Sequence, residues 1–415
     1  MKKVLVVSSS PDIEQRLARM VEKGAIPKED YSIFVEKFGE ESSASDGHFA
    51  NVFTIDDLRN RVAIDAGVEQ CRAWGPFDLV ITTDEYSVIL AAELRDRLAI
   101  PGPKLSEMLK FRDKVIMKES LLGSSVPTPA FYTIEQLLND HSLLPVVVKP
   151  RSYAGSKGIS VLNMPQEVLE LANTFQGTLT DKEVAFTEFS LNDLELEEFI
   201  VGEILHIDGY ILGGEVIFCV PSQYVGTCLN YINGQPLASH SVEDREEHKR
   251  CLEFSKQVHA VMQLPDGAFH LEAFLTSSGE RVFLEIGARP GGSYVVPSIE
   301  YATGLNLDVA HIQCQLGIAP KVPGDDSEQF GWVVFPKQAP QAHSPKVREV
   351  SVPDLSGYLS PTWTYLPTND DDYTGNFFSY TSNLGAFVFN SLDHRLMKDT
   401  LQHLMMNYRV GAEHQ

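Results

Sequence analysis

The stretch AFHLEAFLTSSGERVFLEIGARPGG, Ala268–Gly292, decides how this chain is read. Two alternating runs, His270–Leu275 and Val282–Ile286, flank Ser277, Ser278, Gly279 and Glu280. Polar loop residues between period-2 runs predict a β-hairpin with a four-residue connection. With Thr276 facing Arg281, Leu271 faces Ile286, Ala273 faces Leu284 and Leu275 faces Val282, an unbroken apolar face. The other face pairs Phe274 with Phe283, His270 with Gly287 and, between them, Glu272 with Glu285. Facing Cβ atoms lie about 4.5–5.5 Å apart, where like charges destabilise a sheet. The pair therefore asks for a cation, and Mg²⁺ prefers the oxygens of carboxylates and phosphates. Two glutamates pointing into water from an edge hairpin are the plainer alternative. The rest of the chain has to choose.

Upstream, Pro145–Pro150 (PVVVKP) predicts a strand, followed by the loop Arg151–Gly158 (RSYAGSKG) and a second strand, Ile159–Leu162. A Walker A loop needs GxxxxGK, then Ser or Thr and a helix, and neither is present. Ala154, Gly155, Ser156 and Gly158 are small enough for backbone N–H groups to approach an anion. Lys149 at the strand end would add a positive charge, with Lys157 inside the loop. An ordinary β-turn with a strand-ending lysine is the alternative. Leu194–Ile200 (LELEEFI) and the alternating run Ile204–Ile211 come next, then a strand over Glu215–Val220 and a charged helix over Glu243–His259.

The flanks set the organisation. Lys3–Ser8 and Asp78–Thr82 predict buried strands, with helices over Asp12–Lys23 (Asp12 as N-cap) and Val88–Leu98, an open parallel α/β sheet. This region lacks GxGxxG, so Rossmann-type nucleotide binding is not expected there. Gly39–Asn51 reads as a surface loop, and Lys104–Leu122 as a helical stretch carrying Arg112, Asp113 and Lys114. Beyond the hairpin, Pro297–Leu316 is helical with a break at Gly304, Pro320–Asp326 marks a boundary, and short strands lead to a closing helix, His394–Tyr408. The units expected are 1–103, 104–196, 197–320 and 321–415, the last small and β-rich.

With 415 residues, 43% hydrophobic and 22% charged, the chain has the composition of a soluble multidomain protein. A net charge of −23 argues against nucleic-acid or anionic-membrane partners, which need a basic surface. Five scattered cysteines with no CxxC support neither zinc nor disulfides and fit a reducing cytoplasm. No apolar run has the length of a signal h-region or a membrane span.

In this order, the RDK helix, VVVKP, AGSKG, EEFIVGE, HLEAF and LEIGARPGG resemble the ATP-grasp superfamily over about Pro101–Gly317. Within it the chain looks most like the carboxylate–amine ligases that join amino acids, including the bacterial L-amino acid ligases. Biotin-carboxylase-like and D-alanine–D-alanine-ligase-like proteins share the frame more distantly. The resemblance implies an ATP-grasp fold: an N-terminal parallel α/β domain, lid and central domains, and a C-terminal unit. It implies that Lys114 and Lys149 hold ATP phosphates under the loop residues Gly155, Ser156, Lys157 and Gly158. Glu197, Glu198, Phe199 and Ile200 match the adenine hinge, and Glu203 matches the ribose acid. Glu272 and Glu285 match the ligands of Mg²⁺, with Mn²⁺ an alternative. Arg289, Gly291 and Gly292 match the groups that hold the reacting acid.

Gly287 stands where many relatives carry a metal-ligating Asn, which leaves two glutamates, phosphate oxygens and water as the expected shell. The implied partners are small-molecule carboxylate and amine substrates, and the implied assembly is a homodimer. ADP and phosphate, rather than AMP, are the implied products. His270 shares the hairpin face with Glu272. It is read either as touching substrate or a metal-bound water or as a satisfied histidine, and His206 and Asp208, which share one strand face, as lining the cleft. An ATP-grasp acyl-thiol ligase or carboxylase, and a nucleotide-binding regulatory protein without turnover, are the alternatives.

Overall fold

The first sheet is four parallel strands in the order β3-β2-β1-β4, from β1 (Lys3–Ser8), β2 (Asp30–Glu36), β3 (Asn51–Ile55) and β4 (Leu79–Thr82). The computed structural model describes residues 1–36, 47–55, 60–153, 155–156, 158–176, 194–324, 328–338, 344–374 and 383–412. Leu5, Val7 and Phe34 pack against the helices Arg61–Trp74 and Val88–Arg97 on one face. Val4, Val6 and Ile33 meet the helix Ile13–Glu22 on the other, together with Ile312 and Leu316 from far along the chain. Both faces are covered, which is why these strands read as continuous apolar runs. Part of the surface loop expected over Gly39–Asn51 lies outside the described residues, and its last residue instead opens β3. Asp12 occupies the N-cap, but its side chain makes no capping bond.

The lid is a three-stranded antiparallel sheet, β6-β5-β7, from β5 (Val146–Pro150), β6 (Ser160–Leu162) and β7 (Leu194–Glu198). The stretch 104–122 is not one helix. It forms a short turn of helix at Leu105–Met108, a 3-10 turn at Leu109–Phe111 and a new helix at Lys114–Glu119. Asp113 causes the restart, because its extended backbone lets Oδ1 accept from the amides of Val115 and Ile116. Lys114 thereby becomes the first residue of a helix beside the loop that follows β5.

Eight strands form the central sheet. They are β8 (Glu203–Leu212), β9 (Glu215–Val225), β10 (Leu237–Ser241), β11 (Gly267–Leu275), β12 (Arg281–Gly287), β13 (Gln329–Pro336), β15 (Trp363–Tyr365) and β16 (Asn383–Ser391). Their order is β12-β11-β8-β9-β10-β13-β16-β15, while β14 (Val347–Ser351) pairs separately with β17 (Arg409–Ala412). Of the strands after residue 321, β13, β15 and β16 therefore extend the hairpin's own sheet. The helix Arg245–Met262 buries Cys251, Phe254 and Val258 against one face, and Val295–Thr303 covers part of the other.

The hairpin differs from its expected register in two places. The tip is a three-residue loop, since the amide of Thr276 donates to the carbonyl of Glu280 at 3.0 Å and Gly279 takes φ +82°. Leu275 then pairs with Arg281, Phe274 with Val282 and Ala273 with Phe283, replacing the three expected pairings Leu275–Val282, Phe274–Phe283 and Ala273–Leu284. A β-bulge at Leu284 takes up the difference, so Glu272–Glu285, Leu271–Ile286 and His270–Gly287 pair as the alternation predicts. The physical reason is burial. Phe283 is fully buried in the core, whereas Leu284 and Glu285 both line the cleft.

Candidate active site

A cleft lies between the lid and the central sheet. Lys114, Lys149, Gly155, Ser156, Glu272 and Glu285 all border it. Val147, Ile159, Ile204, Phe274 and Leu284 give one part of it apolar walls.

Glu285 is paired with Lys114, whose Nζ lies 3.1 Å from Oε2 and also donates to the carbonyl of Tyr153 at 2.6 Å. Burial opposes ionisation of Glu285, but Lys114 and Lys149 outweigh it and hold the carboxyl below its ordinary value. One lysine thus bridges the hairpin and the loop after β5. In that loop Gly155, Ser156 and Gly158 all have positive φ, at 68°, 58° and 75°. The non-glycine Ser156 in a left-handed conformation marks a backbone held for close approach. Ala154 and Lys157 lie outside the described residues. Arg151 anchors the loop's start on Asp113 at 2.9 Å.

Lys149 enters a buried quartet that sequence reasoning missed. Its Nζ lies 2.5 Å from Glu197 Oε1 and 3.3 Å from Glu195 Oε1. Lys118 pairs with Glu195 at 3.2 Å and makes a short contact with Glu197. Burial disfavours the charge of Lys149, yet Glu197 and Glu195 raise its pKa above the usual lysine range. Of the expected hinge, Glu197 turns its carboxylate inward to this quartet, and Glu198 accepts from the amide of Ala130 at 3.2 Å. Phe199 is 40% exposed, Ile200 is half-buried, and Glu203 is exposed at the start of β8.

Arg289 meets Glu85 of the first unit, Nε to Oε2 at 2.6 Å, and donates to the carbonyl of Pro290 at 2.8 Å. Arg112 meets the other Glu85 oxygen at 2.8 Å and lies over the Tyr86 ring. Burial raises the Glu85 pKa, but Arg289, Arg112 and Lys114 together bring it down to about 2. Folded, Glu85 titrates near 2, and unfolded near 4.5, so its contribution is complete above pH 4.5 and lost as pH falls toward 2. That contribution is on the order of 3 kcal/mol. Denaturant midpoints of the parent and Glu85→Gln are expected to differ most above pH 4.5 and to converge toward pH 2. A pH-independent gap would contradict the ion-pair account.

Behind Glu272, His270, Asp208 and His206 form a buried cluster. Asp208 accepts from Nδ1 of His270 at 2.7 Å and from Nδ1 of His206 at 2.6 Å. Burial opposes the charge of Asp208, but the two imidazoles hold its carboxyl below the usual range. Burial likewise opposes protonation of His270, and Asp208 and Glu272 overcome it, raising His270 to about 10. The ligating atoms of the cluster are close enough to suggest a metal. Neighbouring ligands around a tetrahedral ion bonded at about 2.0–2.2 Å would be roughly 3.3 Å apart. The shorter separations here are those of hydrogen bonds. Gly291 is buried against Asp208, with 2.4 Å from its ideal Cβ position to Oδ1, so no side chain fits there. Gly292 faces open space.

Comparison with known proteins agrees with this architecture. Residues 142–298 match the family model described as ATP-grasp domain. The fold is the ATP-grasp fold. It is 26% identical over 269 residues to the L-arginine-specific L-amino acid ligase of Bacillus subtilis, covering 63% of each chain. Dapdiamide A synthase of Enterobacter agglomerans is 26% identical over 223 residues, 51% of this chain and 50% of that protein. The matches thus span less than two thirds of these curated relatives. A crystal structure of L-amino acid ligase from Bacillus licheniformis superposes over 100% of both chains with TM-score 0.71 at 16% identity. The biotin carboxylase domain of the Hydrogenobacter thermophilus 2-oxoglutarate carboxylase, solved with MgADP, gives TM-score 0.69 at 15% identity over 99% of this chain and 91% of that one. Among the described residues no helix is long and apolar enough to cross a membrane.

Proposed function

We propose that this chain is an ATP-dependent carboxylate–amine ligase that joins an amino acid or related acid to an amine through an acyl phosphate, releasing ADP and phosphate. The observation that carries the reading is the convergence of Lys114, Lys149, Glu272, Glu285 and the positive-φ loop on one cleft. The relatives named as L-amino acid ligases point the same way.

A carboxylate oxygen attacks the γ-phosphorus of ATP, and the bond to the departing ADP oxygen breaks. The amine then attacks the acyl carbon, phosphate leaves, and the amine gives up a proton. Lys114 and Lys149 hold phosphate oxygens in line, supplying position and charge rather than a covalent bond. Arg289 exchanges Glu85 for the substrate carboxylate, which its planar fork binds at two points. The backbone at Gly291–Gly292 lies alongside, and the loop 151–158 excludes the water that would hydrolyse the acyl phosphate. Phe199 and the apolar walls take adenine, and Glu203 takes the ribose hydroxyls.

The donor set at Glu272 and Glu285, two carboxylates in one cross-strand pair, fits Mg²⁺. Bound there, the ion would neutralise charge on the phosphates. Division into units at 1–103, 104–196, 197–320 and 321–415, homodimerisation and a cytoplasmic location belong to the same reading. Incubation with ATP, Mg²⁺ and mixed amino acids is the test. Phosphate release with a product of two amino acids minus water is expected. ATP turnover yielding only thioester or carboxylated products, or ATP binding without turnover across a broad acid and amine panel, would overturn it.

A further inference from the structure

One buried polar chain meets the reaction just described only at its end, on Glu272. Ser239 Oγ on β10 lies 2.6 Å from His206 Nε2 on β8. His206 and His270 flank Asp208, and His270 Nε2 lies 3.2 Å from Glu272 Oε1 on β11. Tyr224 on β9 donates its hydroxyl to the same Oε1 at 3.1 Å. Ser239, His206 and Asp208 are fully buried, and even Glu272 is only 9% exposed. Carboxylates accept only, so Asp208 fixes an N–H at both Nδ1 atoms, and Glu272 fixes another at His270 Nε2. A fully satisfied buried network of this kind specifies a single geometry. A sheet core needing only stability would be served by apolar side chains.

The network ends on one oxygen. Among the described residues, both hydrogen bonds that the Glu272 side chain receives fall on Oε1. Asp208 Oδ1 also abuts Gly291, so the same carboxylate buttresses the turn after Arg289. We propose that Asp208 is a positioning residue for Glu272: through His270 it commits Oε1 to the protein and leaves Oε2 as the one atom offered to a divalent cation. This rests on the reading of Glu272 as a cation ligand. Outer partners that orient a ligand typically change metal affinity 10–100-fold when removed.

The test measures Mn²⁺ binding by calorimetry and electron paramagnetic resonance, with a non-hydrolysable ATP analogue present and no turnover. Asp208→Asn keeps the shape but offers one acceptor and one N–H donor, so one imidazole loses its partner. A 10–100-fold fall in Mn²⁺ affinity is expected. Binding of the analogue in EDTA should not change. Tyr224→Phe removes the other Oε1 donor without touching Asp208, and a smaller fall in the same direction is expected. If Asp208→Asn does not fold, the tyrosine variant decides. Folded variants that bind Mn²⁺ as tightly as the parent overturn the positioning role alone. A parent without Mn²⁺ affinity overturns the Glu272 assignment with it.

Discussion

Replacing Glu285 by Gln is expected to lower ATP-dependent turnover by about 10²–10³-fold, the scale seen when one preorganised electrostatic group is lost from a phosphoryl- or acyl-transfer site. The change is nearly isosteric, and Lys114 keeps its bond to the Tyr153 carbonyl, so the hairpin should remain folded. Two things are lost at once. The cross-strand pair falls from two carboxylates to one, and Lys114 loses the anion that fixes it 3.1 Å away. Phosphate release at saturating ATP, with circular dichroism as the folding control, measures this. Undiminished turnover in a folded Glu285→Gln protein would remove Glu285 from the metal site.

Lys118→Met is expected to cost about 3–5 kcal/mol of local stability in the lid, because it breaks a buried ion-pair group and leaves an uncompensated charge. Glu195 and Glu197 would then share Lys149 alone, and Glu195 Oε2 already lies buried without a partner. The loss belongs to β5, β7 and the helix Lys114–Glu119, the elements the quartet joins. Hydrogen exchange at Val146–Pro150 and Leu194–Glu198 should accelerate strongly. Adding Glu195→Gln restores charge balance and should recover part of the protection. Exchange unchanged in the single variant would mean that the quartet does not hold the lid.

Much of this site was legible in the sequence because strand alternation is strict. The Glu272–Glu285 pairing followed from period 2, and it stands even though the assumed tip was one residue too long. The bulge at Leu284 cancelled that error, and nothing local announces a bulge in VFLEIG, where the pressure to bury Phe283 is tertiary. Lys149 was visible as a strand-ending lysine before small residues, but its partner Lys118 looked like any solvated residue of KVIMKE. Only the fold carries that helix under β5 and β7. Glu85 was likewise silent in ITTDEYS, because its meaning depends on two arginines that approach from far along the chain. The His206–Asp208–His270 cluster was half readable. Alternation put His206 and Asp208 on one face, but the pairing of β8 with β11, which places Asp208 opposite His270, had no sequence signal.

The hairpin's outer strand, β12, forms the margin of the central sheet, a place where an exposed ribbon ordinarily invites pairing with another chain. Here the amide of Phe283 donates to the carbonyl of Pro127 at 2.8 Å, and the amide of Ile286 rests on the Met117 sulfur. The seam is closed by the segment that leads into the lid. The strand carrying Glu285 is therefore tied at Pro127 to the chain that runs into the three-stranded sheet.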